Sequence, residues 1–475
     1  MIEMTLAEVA QATAARLGGG ADPSAVVTGP VVTDSRQVEP GSLFVALPGE
    51  RVDGHAFAAA AIRAGATAVL GTRELDVACL VVDDAAAGLG RLARSVVDRL
   101  DLTVVAVTGS SGKTTTKDML AAVLGRQGPV VAPEGSFNNE VGLPVTALRC
   151  DENTTVLVSE MGARGVGHIA YLCTVTPPDI SVVLNVGSAH LGEFGSREAI
   201  GRAKSEIVAA LRPDGLAVLN ADDGIVADMG HQTDAPVCLV GENPNADVRA
   251  TDVRLDAAGR ASFLLDADGE QAPVTLRLVG EHQVANAASV AGVARHLGMT
   301  VADIADALSA VAAASRWRME VTERPDGVTV INDAYNANPE SMRAGLKALV
   351  SIAGQRRSWA VLGEMRELGE ASLTEHDAIG RLAVRLNVDR LVVVGEGARA
   401  MHLGAAHEGS WGRESVWVPD RDAALALVRA EVAPPDVVLV KGSRLVGLEA
   451  VAAALLADEP AGGVPADATG QEDVT

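Results

Sequence analysis

At 475 residues the chain is too long for one ordinary hydrophobic core and fits two or three domains. Its formal net charge of −23, from 62 acidic against 39 basic side chains, argues against nucleic-acid partners, which are held by Lys and Arg neutralising phosphates. Apolar residues make up 48% of the chain, spread rather than massed, with no run near the roughly 20 needed to span a bilayer, so a soluble globular protein with no membrane partner is expected.

The first hundred residues read as a small α/β unit. Thr33-Asp34-Ser35-Arg36 leads to an apolar strand at Leu43-Phe44-Val45-Ala46-Leu47, a helical stretch near His55 to Ala64, a strand at Ala68-Val69-Leu70 and a helix from Gly88 to Leu100. From Leu102 the apolar runs become short and non-alternating, as at Val104–Val107, Val156-Leu157-Val158 and Val182-Val183-Leu184. Such runs predict strands buried on both faces of a parallel sheet, with helices at 114–126 and 197–211 between them. Between Pro236 and Leu278 the pattern turns alternating and turn-rich, which predicts an antiparallel insert. A second βαβ series starts near Val328, with strands at 328–331, 359–362, 391–394 and 437–440. The expected architecture is α/β in three domains: residues 1–100, a central P-loop parallel-sheet domain at 101–316, and a Rossmann-like domain at 317–459. The Gly-, Pro- and acid-rich tail from 460 is expected to be disordered. Cys79, Cys150, Cys173 and Cys238 form no CxxC pair, and no basic-then-apolar leader opens the chain, so a cytoplasmic protein is expected.

The strongest local signal is Thr108-Gly109-Ser110-Ser111-Gly112-Lys113-Thr114-Thr115, between a buried strand and a helix. Glycines let successive backbone N–H groups turn toward phosphate oxygens, and the helix N-terminus adds partial positive charge. Lys113 can reach the β- and γ-phosphates and the Thr114 hydroxyl can ligate Mg²⁺. Val107 stands where the strict pattern has its first glycine. Taken singly, Glu160 at a strand end, His190 at a loop and Lys204 on a helix read as ordinary solvated or hydrogen-bonded groups.

The loop resembles that of the Mur ligases, which join amino acids or peptides to a UDP-sugar precursor of the bacterial cell wall. The likeness continues, in order, through Asn138-Asn139-Glu140-Val141-Gly142-Leu143-Pro144, Glu160-Met161-Gly162 and Asn185-Val186-Gly187-Ser188-Ala189-His190-Leu191. It then runs through Ala203-Lys204-Ser205-Glu206-Ile207, Gly280-Glu281-His282-Gln283-Val284-Ala285-Asn286 and Asn332-Asp333-Ala334-Tyr335-Asn336-Ala337-Asn338-Pro339. The resemblance implies ATP in the loop Gly109, Ser110, Ser111, Gly112, Lys113, Thr114 and Thr115, with Asn286, Arg316 and Asp333 as further nucleotide contacts. It implies two Mg²⁺ ions held through Thr114, Glu160, His190 and Lys204, the lysine carrying a carbamate. Lys113, Lys204 and His190 are then the catalytic group. Arg316 would stabilise phosphate charge and Asp333 would accept from the ribose hydroxyls, with domain closure completing the ATP site.

Thr33–Arg36 and Pro40–Gly49 resemble the UDP-binding domain of the later-acting members, which makes Ser35 and Arg36 substrate-binding candidates alongside Asn138 and Asn139. Asp333–Met342 resembles the signature of the last-acting member, which joins D-Ala-D-Ala to a UDP-N-acetylmuramoyl-tripeptide. Asn336 and Asn338 fall in that stretch. The Asp-Tyr-Ala-His-Thr-Pro and Asp-Asn-Pro-Arg patterns of the third-residue-adding member are absent, and Pro419-Asp420-Arg421-Asp422 reads as a helix start with Asp420 as N-cap. The implied reaction runs through an acyl phosphate and needs no covalent enzyme nucleophile. A monomer is expected. The competing readings are the third-residue adder, a folylpolyglutamate synthase, and a P-loop regulatory ATPase.

Overall fold

In the computed structural model, which describes residues 1–49, 52–187, 191–409 and 414–457, the short apolar runs become buried strands. Thr103–Thr108, Val156–Glu160 and Ile180–Val183 lie side by side in parallel, the first of them in the middle. Their side chains are buried on both faces, which is why these runs do not alternate. The whole sheet has nine strands, in the order Glu270–Val279, Arg260–Ala267, Val248–Leu255, Val237–Gly241, Leu216–Asn220, Ile180–Val183, Thr103–Thr108, Val156–Glu160, Val130–Val131. The chain therefore leaves Thr103–Thr108 to build one side, then crosses to build the other. That reversal puts a switch-point crevice at the carboxyl end of the middle strand, where ligands of parallel sheets collect.

The expected antiparallel insert needs correction. Val237–Gly241 runs parallel to Leu216–Asn220, and Val248–Leu255 parallel to Val237–Gly241. Only the last two strands turn antiparallel, and they extend the same sheet rather than forming a separate layer. The alternating pattern of Arg260–Ala267 arises because one face is packed and the other solvated.

A five-stranded sheet precedes this one, in the order Arg16–Gly18, Cys79–Val81, Ala68–Gly71, Leu43–Val45, Val31–Val32. The helix Ala85–Val97, capped by Asp84, buries Leu89, Leu92, Ala93 and Val96 in the same apolar cluster as Leu143, Leu148, Ile169 and Leu172. One core thus spans both sheets, and Met1–Ser315 forms a single compact unit together with Glu367–Ala371.

The second unit holds Arg316–Arg366 and the chain from Ser372. Its sheet runs Glu320–Glu323, Thr329–Asn332, Val437–Lys441, Ser358–Leu362, Arg390–Val394, Ser415–Val418, with all neighbours parallel except the first pair. The edge strands Glu320–Glu323 and Ser415–Val418 went unpredicted because half-exposed edges lack a long apolar run. Asp420 does cap Arg421–Glu431, accepting from Ala423 N–H at 2.9 Å. Among the described residues no helix is long and apolar enough to cross a membrane. The tail from 460 lies outside the described residues.

Candidate active site

The phosphate loop sits in the crevice of the nine-stranded sheet. Thr103–Thr108 stays in register with its neighbours through Val107, which pairs with Glu160 and Val182. Val107 is thus a buried strand residue rather than part of the turn, which accounts for the missing glycine. Gly109 is where the turn begins; a Cβ there would lie 2.9 Å from Leu184 Cβ. Gly112 has φ +83° and a Cβ on it would sit 2.6 Å from Asn286 Oδ1, so both conformation and space demand glycine. The helix Lys113–Leu124 starts at once, without a side-chain cap, and a helix N-terminus favours negative charge.

Asn185 holds the loop's outer edge. Its Oδ1 accepts from Ser111 N–H at 2.9 Å, its Nδ2 donates to Ser111 O at 3.2 Å, and its carbonyl accepts from Ser110 N–H at 3.1 Å. The Ser110 hydroxyl accepts from Gly187 N–H at 2.9 Å. Lys113 Nζ donates to Gly109 O at 2.6 Å, lying over the loop. Thr114 is buried with its hydroxyl 3.3 Å from Ser136 Oγ. Asn286, also buried, donates to Gln283 Oε1 at 2.9 Å and forms the loop's far wall.

Glu160 and Lys204 are not the solvated groups that isolated residues would suggest. Glu160 is 1% exposed. Asn138 Nδ2 donates to its Oε1 at 2.8 Å, while Oε2 is buried with no hydrogen-bond partner among the described residues. A buried carboxylate oxygen left unbonded is costly unless a cation completes it, and oxygen donors suit Mg²⁺. Lys204 is 5% exposed, and among the described residues no hydrogen bond or ion pair meets its ammonium. Burial, and then the charge of Lys113, push its pKa well below the usual lysine range. A neutral amine is the form that takes up CO₂, and the resulting carbamate would turn repulsion from Lys113 into attraction. Thr114, Glu160 and Lys204 therefore fit a metal-bound, carbamylated site. Among the described residues no group of three or more His, Cys, Asp or Glu is placed to hold a metal ion. A ligand set drawn from a hydroxyl, one carboxylate and a modified lysine would not produce one. His190 lies outside the described residues.

Asn139 is brought beside Asn138, but its Oδ1 is taken up by the Val141 and Gly142 N–H groups just ahead of the helix Gly142–Ala147. Both asparagines line a cavity of about 350 Å³ with Asp84, Arg164, His168 and Tyr171. Ser35 and Arg36 lie on a short 3₁₀ turn capped by Asp34. Arg36, 87% exposed, makes a forked pair with Asp34 at 2.9 and 2.6 Å, which holds the Asp34 carboxyl down at about 2.

In the second unit Arg316 is exposed. Asp333 ends the Thr329–Asn332 strand, its Oδ1 accepting from Met319 N–H at 3.1 Å and its Oδ2 from Lys441 Nζ at 2.6 Å. The Asn336 carbonyl also accepts from Lys441, at 3.0 Å. Asn338 caps Pro339–Ala353 in a capping box with Ser341. Sequence reasoning missed Ser136 and Lys441 and gave Asn185 no role. Lys441 carried a signal, a lone charge ending the apolar run Val437–Val440; Ser136 carried none. Burial pushes the thiols of Cys150, Cys173 and Cys238 up to about 12, which leaves no thiolate nucleophile among them.

Known proteins share this design. Three family models match: the Mur ligase family catalytic domain at residues 30–96, the Mur ligase middle domain at 107–294, and the Mur ligase glutamate ligase domain at 317–444. A Mycobacterium tuberculosis protein named UDP-N-acetylmuramoyl-tripeptide–D-alanyl-D-alanine ligase is 51% identical, over 98% of this chain and all of its own. The crystal structure of MurF from Acinetobacter baumannii superposes with a TM-score of 0.87 at 33% identity, over 96% of this chain and 99% of that one. MurF from Thermotoga maritima, solved in complex with ADP, gives 0.79 at 32% identity over 90% and 97%. With three domain models matched in order and relatives aligned end to end, the chain belongs to the Mur ligase family.

Proposed function

We infer that the chain adds D-alanyl-D-alanine to UDP-N-acetylmuramoyl-tripeptide with ATP, as a step of peptidoglycan precursor synthesis. The observation that carries this function is a phosphate loop accompanied by a buried carboxylate with one oxygen unbonded and a buried lysine without a partner, both among the described residues. Such a set suits phosphoryl transfer better than nucleophilic catalysis. The acceptor follows from the name of the relatives that align over nearly the whole chain.

In the proposed reaction the tripeptide's terminal carboxylate oxygen bonds to the γ-phosphorus of ATP, the bond to the β-phosphate oxygen breaks, and ADP leaves. The D-Ala-D-Ala amine then attacks the acyl carbon of the acyl phosphate. The C–O bond to phosphate breaks, an amide forms, and the amine loses a proton. The loop N–H groups from Gly109 to Thr115 cradle the phosphates, with Lys113 over the transferring group and Asn286 as wall. Thr114, Glu160, His190 and a carbamate on Lys204 would hold Mg²⁺. When bound, the two ions offset charge on the phosphates. Arg316 would meet phosphate charge, and Asp333, with lone pairs to spare beyond its two bonds, would accept from the ribose. Ser35 and Arg36 would meet the UDP portion, Asn138 and Asn139 the muramoyl peptide, and Asn336 and Asn338 the acceptor. The reaction is assigned to the cytoplasm, in keeping with four cysteines present as free thiols.

The test is an assay with ATP, Mg²⁺ and the UDP-linked tripeptide, following phosphate release and product mass. The expected outcome is a pentapeptide product formed with D-Ala-D-Ala. Turnover only with a single amino acid would assign the chain to another ligase of the family. Phosphate release that is independent of any acceptor would favour a regulatory ATPase.

A further inference from the structure

Lys441 ends one of the two central strands of the six-stranded sheet and is 2% exposed. Its stem passes beneath Gly345 of the Pro339–Ala353 helix, where a Cβ would lie 3.3 Å from Lys441 Cδ. A side chain larger than hydrogen at 345 would crowd the lysine. The ammonium at the end of that stem makes three contacts, all to one stretch of chain: Asp333 Oδ2 at 2.6 Å, Asn336 O at 3.0 Å and Asp333 O at 3.5 Å. An ammonium has three protons to donate, and here each points at the loop 333–336. Nothing else in the unit grips the Asp333 carboxylate except Met319 N–H at 3.1 Å, among the described residues. A buried charge held this way costs desolvation and is weak evidence for stability alone, so a role in fixing geometry is the better account.

We propose that Lys441 is a positioning residue of the ligase reaction, aiming the Asp333 carboxylate at the nucleotide ribose and holding the loop 333–336 in the shape that receives it. This rests on the ribose role proposed for Asp333. Oδ2 is pinned by the lysine and Oδ1 by a backbone N–H, so the carboxylate plane is fixed before any nucleotide arrives. The lone pairs that remain then face a set direction. Without the ammonium, only the Met319 N–H still holds the Asp333 carboxylate, and the ribose hydroxyls lose a preorganised acceptor.

The experiment measures binding of ADP, 2′-deoxy-ADP and 3′-deoxy-ADP to the full-length protein by calorimetry, with kcat and the KM for ATP alongside. Lys441→Met is expected to weaken ADP about tenfold and to level its preference over the deoxy analogues, with KM rising more than kcat falls. Asp333→Asn should do the same, and the double variant should add little. If Asp333→Asn levels the preference while Lys441→Met keeps it, the positioning role is overturned and the ribose role stands. If both variants keep the preference, the ribose role fails and the proposal falls with it. Should Lys441→Met fold poorly, Lys441→Arg keeps the charge but replaces the compact ammonium with a planar guanidinium that cannot make the same three contacts. A partial loss of ribose preference then supports the proposal, and an unchanged preference overturns it.

Discussion

Two lysine–carboxylate groupings, one in each unit, handle charge in opposite ways. Around the phosphate loop Lys113 and Lys204 repel each other, and among the described residues nothing bonds one oxygen of Glu160. In the second unit Lys441 and Asp333 neutralise each other at 2.6 Å, and both Asp333 oxygens are bonded. The first grouping would be completed electrostatically by an anionic ligand together with the cation and lysine carbamate proposed for it. The second is finished before any ligand binds. Groups that do chemistry are held in costly states, whereas groups that orient a substrate are held in satisfied ones.

The largest effect should come from removing the cation that covers the loop. Lys113→Ala is expected to lower kcat/KM by about 10³-fold or more, as losing a charge-stabilising group at a transferring phosphoryl does. Near-normal turnover in a steady-state assay would refute the loop assignment.

Lys204→Ala should lose about 10²-fold in kcat, partly restored by added short carboxylates standing in for the carbamate. A variant that is inactive at every carboxylate concentration would count against the carbamate. Stability offers a second probe. Because burial and Lys113 lower the folded pKa of Lys204, the unfolded chain binds a proton the folded chain lacks between that lowered value and the usual 10.5. Stability therefore rises with pH across that window. In bicarbonate-free buffer, Lys204→Met should melt a few degrees higher than the parent at neutral pH, and the gap should close as pH approaches the usual lysine value. A melting point lowered at neutral pH would show that the amine is not held at a cost.

Smaller effects should follow from the groups that orient the chemistry. Asn138→Ala removes the bond that orients Glu160 Oε1, and should weaken Mg²⁺ activation about tenfold, read from the metal dependence of turnover. Asn338→Ala removes a helix cap in the finished region and should cost about 1 kcal/mol in denaturant melts. Any loss of activity beyond that would report the acceptor contact proposed for Asn338, whereas unchanged stability would show that the cap adds none.

The sequence by itself determined the βαβ order, the phosphate loop and the family. Those features are local: short apolar runs, glycines at a turn, and a lysine followed by threonine entering a helix. It also carried the names of Glu160, Lys204 and Asp333, but only as matches to a pattern. Their environments came from tertiary structure. Glu160 and Lys204 look like solvated residues in a linear reading, because burial depends on segments packed from far along the chain. The same holds for the charge of Lys113 acting on Lys204, for Val107 staying inside a strand, and for Lys441 meeting Asp333 across 108 positions. A sequence lists which charges exist. Only the fold decides which are paired, which are left open, and so which can react.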